Sequence, residues 1–315
     1  MGIEDRPGRR RALITALVGT AALTTALGLA SFAAGGASQA ATPAPQPDTP
    51  VVHAIGAAAQ TATRALWSSS EMRAATPPQG MAKASSAAAV PPPGTPTATP
   101  FNGVPTVGAL FYTTGSGVHF CTASVVNSGT ANLVLTAAHC VYSSTYASNI
   151  EFVPAYHDGQ QPYGAWPVKT ITVAAGWQQS HNPDLDFAFL SVAAPSGTHR
   201  PIQAVTGGLR LGIDRGYSHP IEVIGYNDTD NGPVKCATKS FEFETGQMEF
   251  YCHDYWDGTS GGPWITGYNG KTGRGTVIGV IGGYEQGGDY EWSSYSPYFG
   301  PPTRQLFLQA ERQQA

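Results

Sequence analysis

From Thr106 onward the chain is cut into short apolar runs, and this texture limits what it can fold into more than any other feature. The runs are Val107–Leu110, Val118–Val126, Leu133–Leu135, Ile150–Val153, Val168–Val173, Phe187–Val192, Ile221–Ile224, Met248–Tyr251 and Val277–Ile281. Turn-forming stretches separate them, such as Thr114-Gly115-Ser116-Gly117 and Asn127-Ser128-Gly129-Thr130. Many short strands at such spacing build a barrel or a sandwich. Only Thr303 to Glu311, with Leu306, Leu308 and Ala310 among polar residues, reads as a helix.

What precedes Thr106 is different material. Residues 1–40 read as an export signal. Arg6, Arg9, Arg10 and Arg11 form a basic start, Ala12 to Ala34 is apolar and uncharged, and Ser38-Gln39-Ala40 offers small residues for cleavage. The run is long enough to span a bilayer, but its many Ala, Gly and Thr residues make it weakly hydrophobic, so a cleaved signal is preferred to an anchor. Residues 41–105 are rich in Ala, Pro, Thr and Ser and cannot bury enough apolar surface to fold independently. They are expected to be largely disordered, as a propeptide or a linker. Within them Ala57 to Ala75 can form a short helix, with Leu66, Trp67 and Met72 as anchors.

Charge excludes some classes of function. From Pro105 to the end there are 10 Lys+Arg and 17 Asp+Glu, a net charge of −7 with His neutral. An acidic body of this kind argues against nucleic-acid partners. The 4 cysteines all lie in the β region. In an exported chain that even number supports two disulfides, and spacing alone leaves three pairings open.

One stretch carries chemistry. Trp256 to Trp264 reads WDGTSGGPW, with Ser260 between Gly258 and the pair Gly261-Gly262. A serine hydroxyl is a poor nucleophile unless a base takes its proton and donors hold the oxyanion. Glycines allow a tight turn that can aim the amides of Gly258 and Ser260 at one point. Upstream, Leu135 to Cys140 reads LTAAHC and supplies His139, while Asp186 to Leu190 reads DFAFL and opens a strand with a carboxylate. Gly258-Thr259-Ser260-Gly261-Gly262 also fits the nucleophile elbow of α/β-hydrolases, but that fold needs its histidine after the serine. The last histidine here is His253, so that fold is excluded. A zinc reading of Cys121, His139 and Cys140 lacks a C-x-x-C pair.

The motifs AAHC, D-F-A-x-L and G-x-S-G-G-P, in that order, resemble the chymotrypsin-like (trypsin-like) serine peptidases, and among them the secreted bacterial branch. The resemblance covers roughly Thr106 to Leu308. It implies an all-β fold of two antiparallel six-stranded β-barrels, over 106–197 and 198–302, with a C-terminal helix over 303–311. It implies a triad of His139, Asp186 and Ser260, with Asp186 rather than Asp184 as the acid because it directly precedes the F-A-F-L run. The oxyanion hole would be the amides of Gly258 and Ser260. Cys121 would pair with Cys140, and the remainder leaves Cys236 with Cys252. No cofactor or metal is required. The partners expected are polypeptide substrates of a secreted monomer, with no nucleic acid and no stable membrane association after signal cleavage. Secreted bacterial relatives carry pro-segments, which favours the propeptide reading of 41–105.

Two departures from the animal enzymes stand out. Thr259 replaces the aspartate that pairs with a freed N-terminus in trypsin-like zymogens, so starts between Pro91 and Pro105 are expected to be equivalent. Cys252 lies eight residues before Ser260, so the loop of the specificity pocket is built differently. Asp254 sits six residues before Ser260, where the trypsin branch places the aspartate that selects Arg or Lys. Gly283 and Tyr284, in the run Val280 to Tyr284, are expected to form the opposite wall, and the glycines to leave room for a long side chain. An aromatic or broad apolar preference is the alternative. Outside catalysis, the chain could be a silent protease-fold binding protein or a cell-wall-associated one.

Overall fold

The computed structural model describes residues 46–78, 89–228 and 232–313; the expected signal over 1–40 lies outside them. The described chain opens with strand β1 (Pro50–Ala54), helix α1 (Ala57–Leu66), helix α2 (Ser69–Ala74) and the short strand β2 (Thr99–Pro100). Six strands follow: β3 (Val107–Thr114), β4 (Gly117–Val126), β5 (Leu133–Thr136), β6 (Ser148–Pro154), β7 (Trp166–Ala174) and, after helix α3 (Ala175–Ser180), β8 (Ala188–Val192). They pair antiparallel in the order β3-β4-β5-β8-β7-β6 and return to β3, which closes a barrel whose β6–β7 seam is two residue pairs long. Strands β5 and β8 are buried at every residue. Their near-continuous apolar runs are explained by cover on both faces, with the barrel interior on one and other elements on the other.

The second half contains α4 (Ile202–Thr206), β9 (Arg210–Leu211), β10 (Pro220–Tyr226), β11 (Pro233–Lys239), β12 (Phe241–Glu244), β13 (Gln247–Tyr251), β14 (Pro263–Asn269), β15 (Arg274–Val280), β16 (Ser293–Pro297) and the terminal helix α5 (Pro301–Arg312). Here the expectation of a second six-stranded barrel is met less regularly. One sheet runs β2-β11-β10-β14-β15-β9 and a separate one runs β12-β13-β16. Between them lies a core of Val223, Phe250, Tyr255, Trp264 and Ile278. The seams use side chains in place of a ladder. The Cys236–Cys252 disulfide ties β11 to the end of β13, Thr238 Oγ1 donates to Tyr251 O at 2.9 Å, and Val280 N donates to Ser296 Oγ at 3.0 Å. Helix α5 returns to the first barrel, where Leu306 is fully buried and Phe307 meets Phe189 with ring centroids 5.5 Å apart.

The expected disorder of 41–105 needs correction. Residues 46–78 and 89–105 are placed against the barrels, and the expected helix is split into α1 and α2 by Trp67 and Ser68. Ser68 caps α2 by accepting from Glu71 N at 3.2 Å. Composition treats the segment as a chain that must fold alone; here its few large apolar groups, Trp67 and Met72, bury themselves in a core built by other residues.

Candidate active site

His139 lies on the turn that follows β5, and the Cys121–Cys140 disulfide ties its neighbour back to β4. Asp186 follows the 3-10 turn Pro183–Leu185, just before β8. Strands β5 and β8 are hydrogen-bonded neighbours, with Thr136 opposite Ala188, so the two groups emerge from the same end of the same ladder. Asp186 is fully buried, and its carboxylate accepts three hydrogen bonds: from His139 N at 2.9 Å, from His139 Nδ1 at 2.7 Å and from Gly283 N at 2.8 Å. Because a carboxylate only accepts, Nδ1 is the donor in this bond, and in the neutral ring Nε2 presents a lone pair. Nε2 is buried and has no hydrogen-bond partner among the described residues. The ring packs near Trp177, at 6.5 Å between centroids.

Ser260 sits on the loop between β13 and β14 and is nearly buried, at 4% exposure. Its carbonyl accepts from Thr122 N at 2.7 Å. Gly261, at φ +80°, packs so closely on Thr122 O, Thr136 Oγ1 and the Ala137 amide that no side chain would fit there. The serine is thereby held to the strand ends that carry Cys121 and His139. The hydrogen bond from Ser260 to His139 Nε2 is not formed in this structure; such bonds commonly tighten only with substrate.

The amides of Gly258 and Ser260 are aimed by their neighbouring carbonyls. In a trans peptide the N–H points opposite to the C=O. Asp257 O accepts from Asp228 N at 2.9 Å, and Thr259 O accepts from Gly262 N at 2.8 Å. The following amides, of Gly258 and Ser260, therefore face away from those partners, and neither has an acceptor among the described residues. Gly258 has φ +92°, and a Cβ there would meet the Phe120 ring and Tyr226 O.

Two residues essential to this arrangement escaped the sequence reading. Thr122 is a hub between the halves: its Oγ1 donates to Gly258 O at 3.0 Å and accepts from Tyr226 N at 2.9 Å. Its carbonyl accepts from Thr136 Oγ1 at 2.8 Å. The only hint in the sequence is its place after Cys121. Gln247 is fully buried; its Nε2 donates to Asp184 Oδ1 at 2.7 Å and its Oε1 accepts from Tyr284 N at 3.0 Å. It links the loop before Asp186 to the run Gly283-Tyr284, and no motif marks it.

The specificity expectations fare differently. Asp254 is exposed, at φ +66°, and its amide donates to Glu291 Oε2 at 2.7 Å. It lines an outer groove with Trp256, Trp292 and Val90. The expectation of Asp254 as a pocket-base carboxylate is not met, because its left-handed backbone and the bond to Glu291 hold it in an exposed turn facing this outer groove. Gly283 does not leave an empty slot either: it permits close approach to Gln247 and Asp186. Tyr284 clusters with Phe243 and Tyr295, at 4.9 and 5.0 Å between centroids. A cleft of about 440 Å³ lies beside His139, lined by Tyr112, His119, Trp177, Gln286 and Pro78. Cys121, His139 and Cys140 cluster tightly enough for a metal, but both sulfurs are used by the disulfide, which leaves no thiolate ligand.

The model of the trypsin family matches residues 94–297. The chain belongs to the trypsin family. It is accordingly a serine endopeptidase, a hydrolase of peptide bonds. Solved structures agree on the fold. Protease Anisep from Arthrobacter nicotinovorans matches with a TM-score of 0.61 at 24% identity, over 69% of this chain and 100% of that one. The thermostable serine protease AL20, from an extremophilic microorganism, gives 0.59 at 24% identity, over 66% and 97%. An inactivated protease paralogue of the scabies mite also matches, with a TM-score of 0.51 at 15% identity over 69% and 98%. An extracellular metalloprotease of Bacillus subtilis (strain 168) is 31% identical over 88 residues, which span 27% of each protein.

Proposed function

We propose that this trypsin-family member cleaves polypeptides through a triad of Ser260, His139 and Asp186 and an acyl-enzyme intermediate. Ser260 Oγ attacks the scissile carbonyl carbon as His139 Nε2 takes its proton. The imidazolium then passes that proton to the leaving amine, and water repeats the sequence to release the acid. Asp186 keeps the imidazole in the tautomer that exposes Nε2 and stabilises the cation formed. The amides of Gly258 and Ser260 receive the oxyanion, each contributing roughly 3 kcal/mol of transition-state stabilisation.

The observation that carries this reading is the buried, unpartnered Nε2 beside a cleft, on a ring whose other nitrogen is bound to a buried carboxylate. Incubation with a serine-reactive fluorophosphonate should label Ser260, and Ser260→Ala should abolish labelling. Absence of labelling in the folded protein would make it a silent protease-fold binding protein instead.

Secretion is part of the proposal, with residues 1–40 as the cleaved signal and the mature protein as a soluble monomer. Two disulfides suit an oxidising compartment, and among the described residues no helix is long and apolar enough to cross a membrane. With Asp254 at the surface, selection of Arg or Lys has no carboxylate assigned to it. Peptides differing only in Arg, Phe or Glu before the scissile bond would measure the preference.

A further inference from the structure

The match to the family begins at residue 94, yet the chain before it completes the first barrel. The β6–β7 ladder is only two residue pairs long, Glu151 with Pro167 and Phe152 with Trp166. Beyond it, β1 takes over the same side of β7: Pro50 to Ala54 pair with Ala174 to Thr170, and Ile55 N donates to Lys169 O at 2.7 Å. On its other side, β7 pairs with β8 through Thr170 to Thr172. Without β1, Thr170 to Ala174 would become an open edge, and Ile171, Thr172, Val173 and Ala174, fully buried with β1 in place, would lose part of that cover. An open edge that also uncovers apolar residues is costly.

The rest of the segment is seated as firmly. Trp67 is 5% exposed and Met72 2% exposed. Trp67 lies 5.4 Å from the Phe111 ring, and its Nε1 donates to Asn149 O at 2.6 Å. Arg64 Nη2 donates to Ala194 O at 2.8 Å, and His53 stacks on Tyr146 at 4.1 Å. Thr76 then joins the edge of β4, donating from its amide to Val118 O at 3.2 Å and accepting from Phe120 N at 3.1 Å. Pro78 ends this stretch as a lining residue of the cleft beside His139.

We infer that residues 46–78 are a permanent partner of the first barrel, which stays seated after the chain is cut between Pro78 and Ala89 and contributes Pro78 to the lining of the cleft. A shed propeptide would leave the barrel open along β7. Starts between Pro91 and Pro105 all lack this segment and are therefore not equivalent to the full chain. Retention does not depend on the peptidase reading, since it is measured by mass and not by turnover.

A recognition site for a sequence-specific protease, placed between Gln79 and Ala88 of the full chain, allows the test. After cutting, native size-exclusion chromatography with mass spectrometry should find both fragments eluting together in equal amounts, with turnover unchanged. Trp67→Ala in the cut chain should weaken retention roughly 100-fold, so that the fragment is lost on the column, while Trp67→Phe should keep it. Should uncut Trp67→Ala fail to fold, Arg64→Ala provides the milder variant, with partial loss expected. Separation of the unsubstituted fragments under native conditions would overturn the inference, as would turnover that rises on cutting, which would make the segment an inhibitor.

Discussion

The two halves of this molecule meet the same architectural demand in different ways. The first closes its sheet with backbone hydrogen bonds all round, even recruiting β1 where β6 ends. The second stays as two sheets joined by a disulfide, hydroxyl groups and a main-chain bond from Gly282 N to Tyr295 O rather than by a ladder. A continuous ladder fixes the groups at its strand ends, and His139 and Asp186 stand at such ends. The second half supplies Ser260 and the amides beside it from a loop shaped by glycines, where φ is positive at Gly258 and Gly261. The difference teaches that the proposed base and its acid are set by ladder register, whereas the proposed nucleophile is set by loop conformation, braced from the first half by Thr122.

The strongest way to break this picture is to remove one partner from each half. Ser260→Ala and His139→Ala should each lower turnover by roughly 10⁴-fold or more, with the double variant no worse than the singles, because the groups act as a unit. Both should keep the native circular dichroism spectrum. Substantial turnover in either would show that the halves do not meet in one catalytic unit.

A second test acts on the first barrel through pH. Burial pushes the Glu151 carboxyl up from 4.5 to about 8, with Arg64 pulling it back. The folded state thus holds a proton that the unfolded state releases. Its contribution is fully present below about pH 4.5 and is lost as pH rises through about 8. Glu151→Gln removes that dependence. Its stability relative to the parent should rise with pH across this window, by up to about 4 kcal/mol in urea unfolding. A pH-independent difference would mean that Glu151 is charged in the fold.

The disulfides sharpen the comparison further. With sequence separations of 19 and 16, replacing either pair by serine should cost about 3 kcal/mol in the chain-entropy model. The location of the damage should differ. Loss of Cys236–Cys252 opens a seam without a ladder, so amides of β13 and β16 should exchange faster. Loss of Cys121–Cys140 leaves the first ladder paired but frees the turn of His139, so turnover should fall before exchange rises. Equal exchange patterns would erase the distinction between the halves.

Smaller effects are expected at the contacts between them. Gln247→Leu leaves Asp184 and the Tyr284 amide without their shared partner, which should cost about 1–2 kcal/mol and raise KM more than it lowers kcat. Asp254→Ser, in an exposed turn, should change stability by less than about 0.5 kcal/mol and leave the ratio of Arg to Phe cleavage as it was. A lost preference for Arg would return Asp254 to the pocket.

The short runs after Thr106 were enough to specify an all-β chain, because strand length and turn placement are local properties. The residues gathered at the site were legible for a related reason: His139, Asp186 and Ser260 lie in stretches whose composition is dictated by local chemistry. Glycine at 258 and 261 follows from backbone angles that other residues resist. Tertiary structure alone decided the rest. Gln247 and Thr122 hold their roles through partners 14 to 136 positions away, and a lone Gln or Thr carries no local signature of that. Asp254 keeps the expected spacing from Ser260, yet spacing does not determine which way a loop turns. The segment 46–78 shows the limit most clearly. Its composition is too poor in apolar residues to fold alone, and it is ordered because β1 pairs with the stretch of β7 that β6 leaves uncovered.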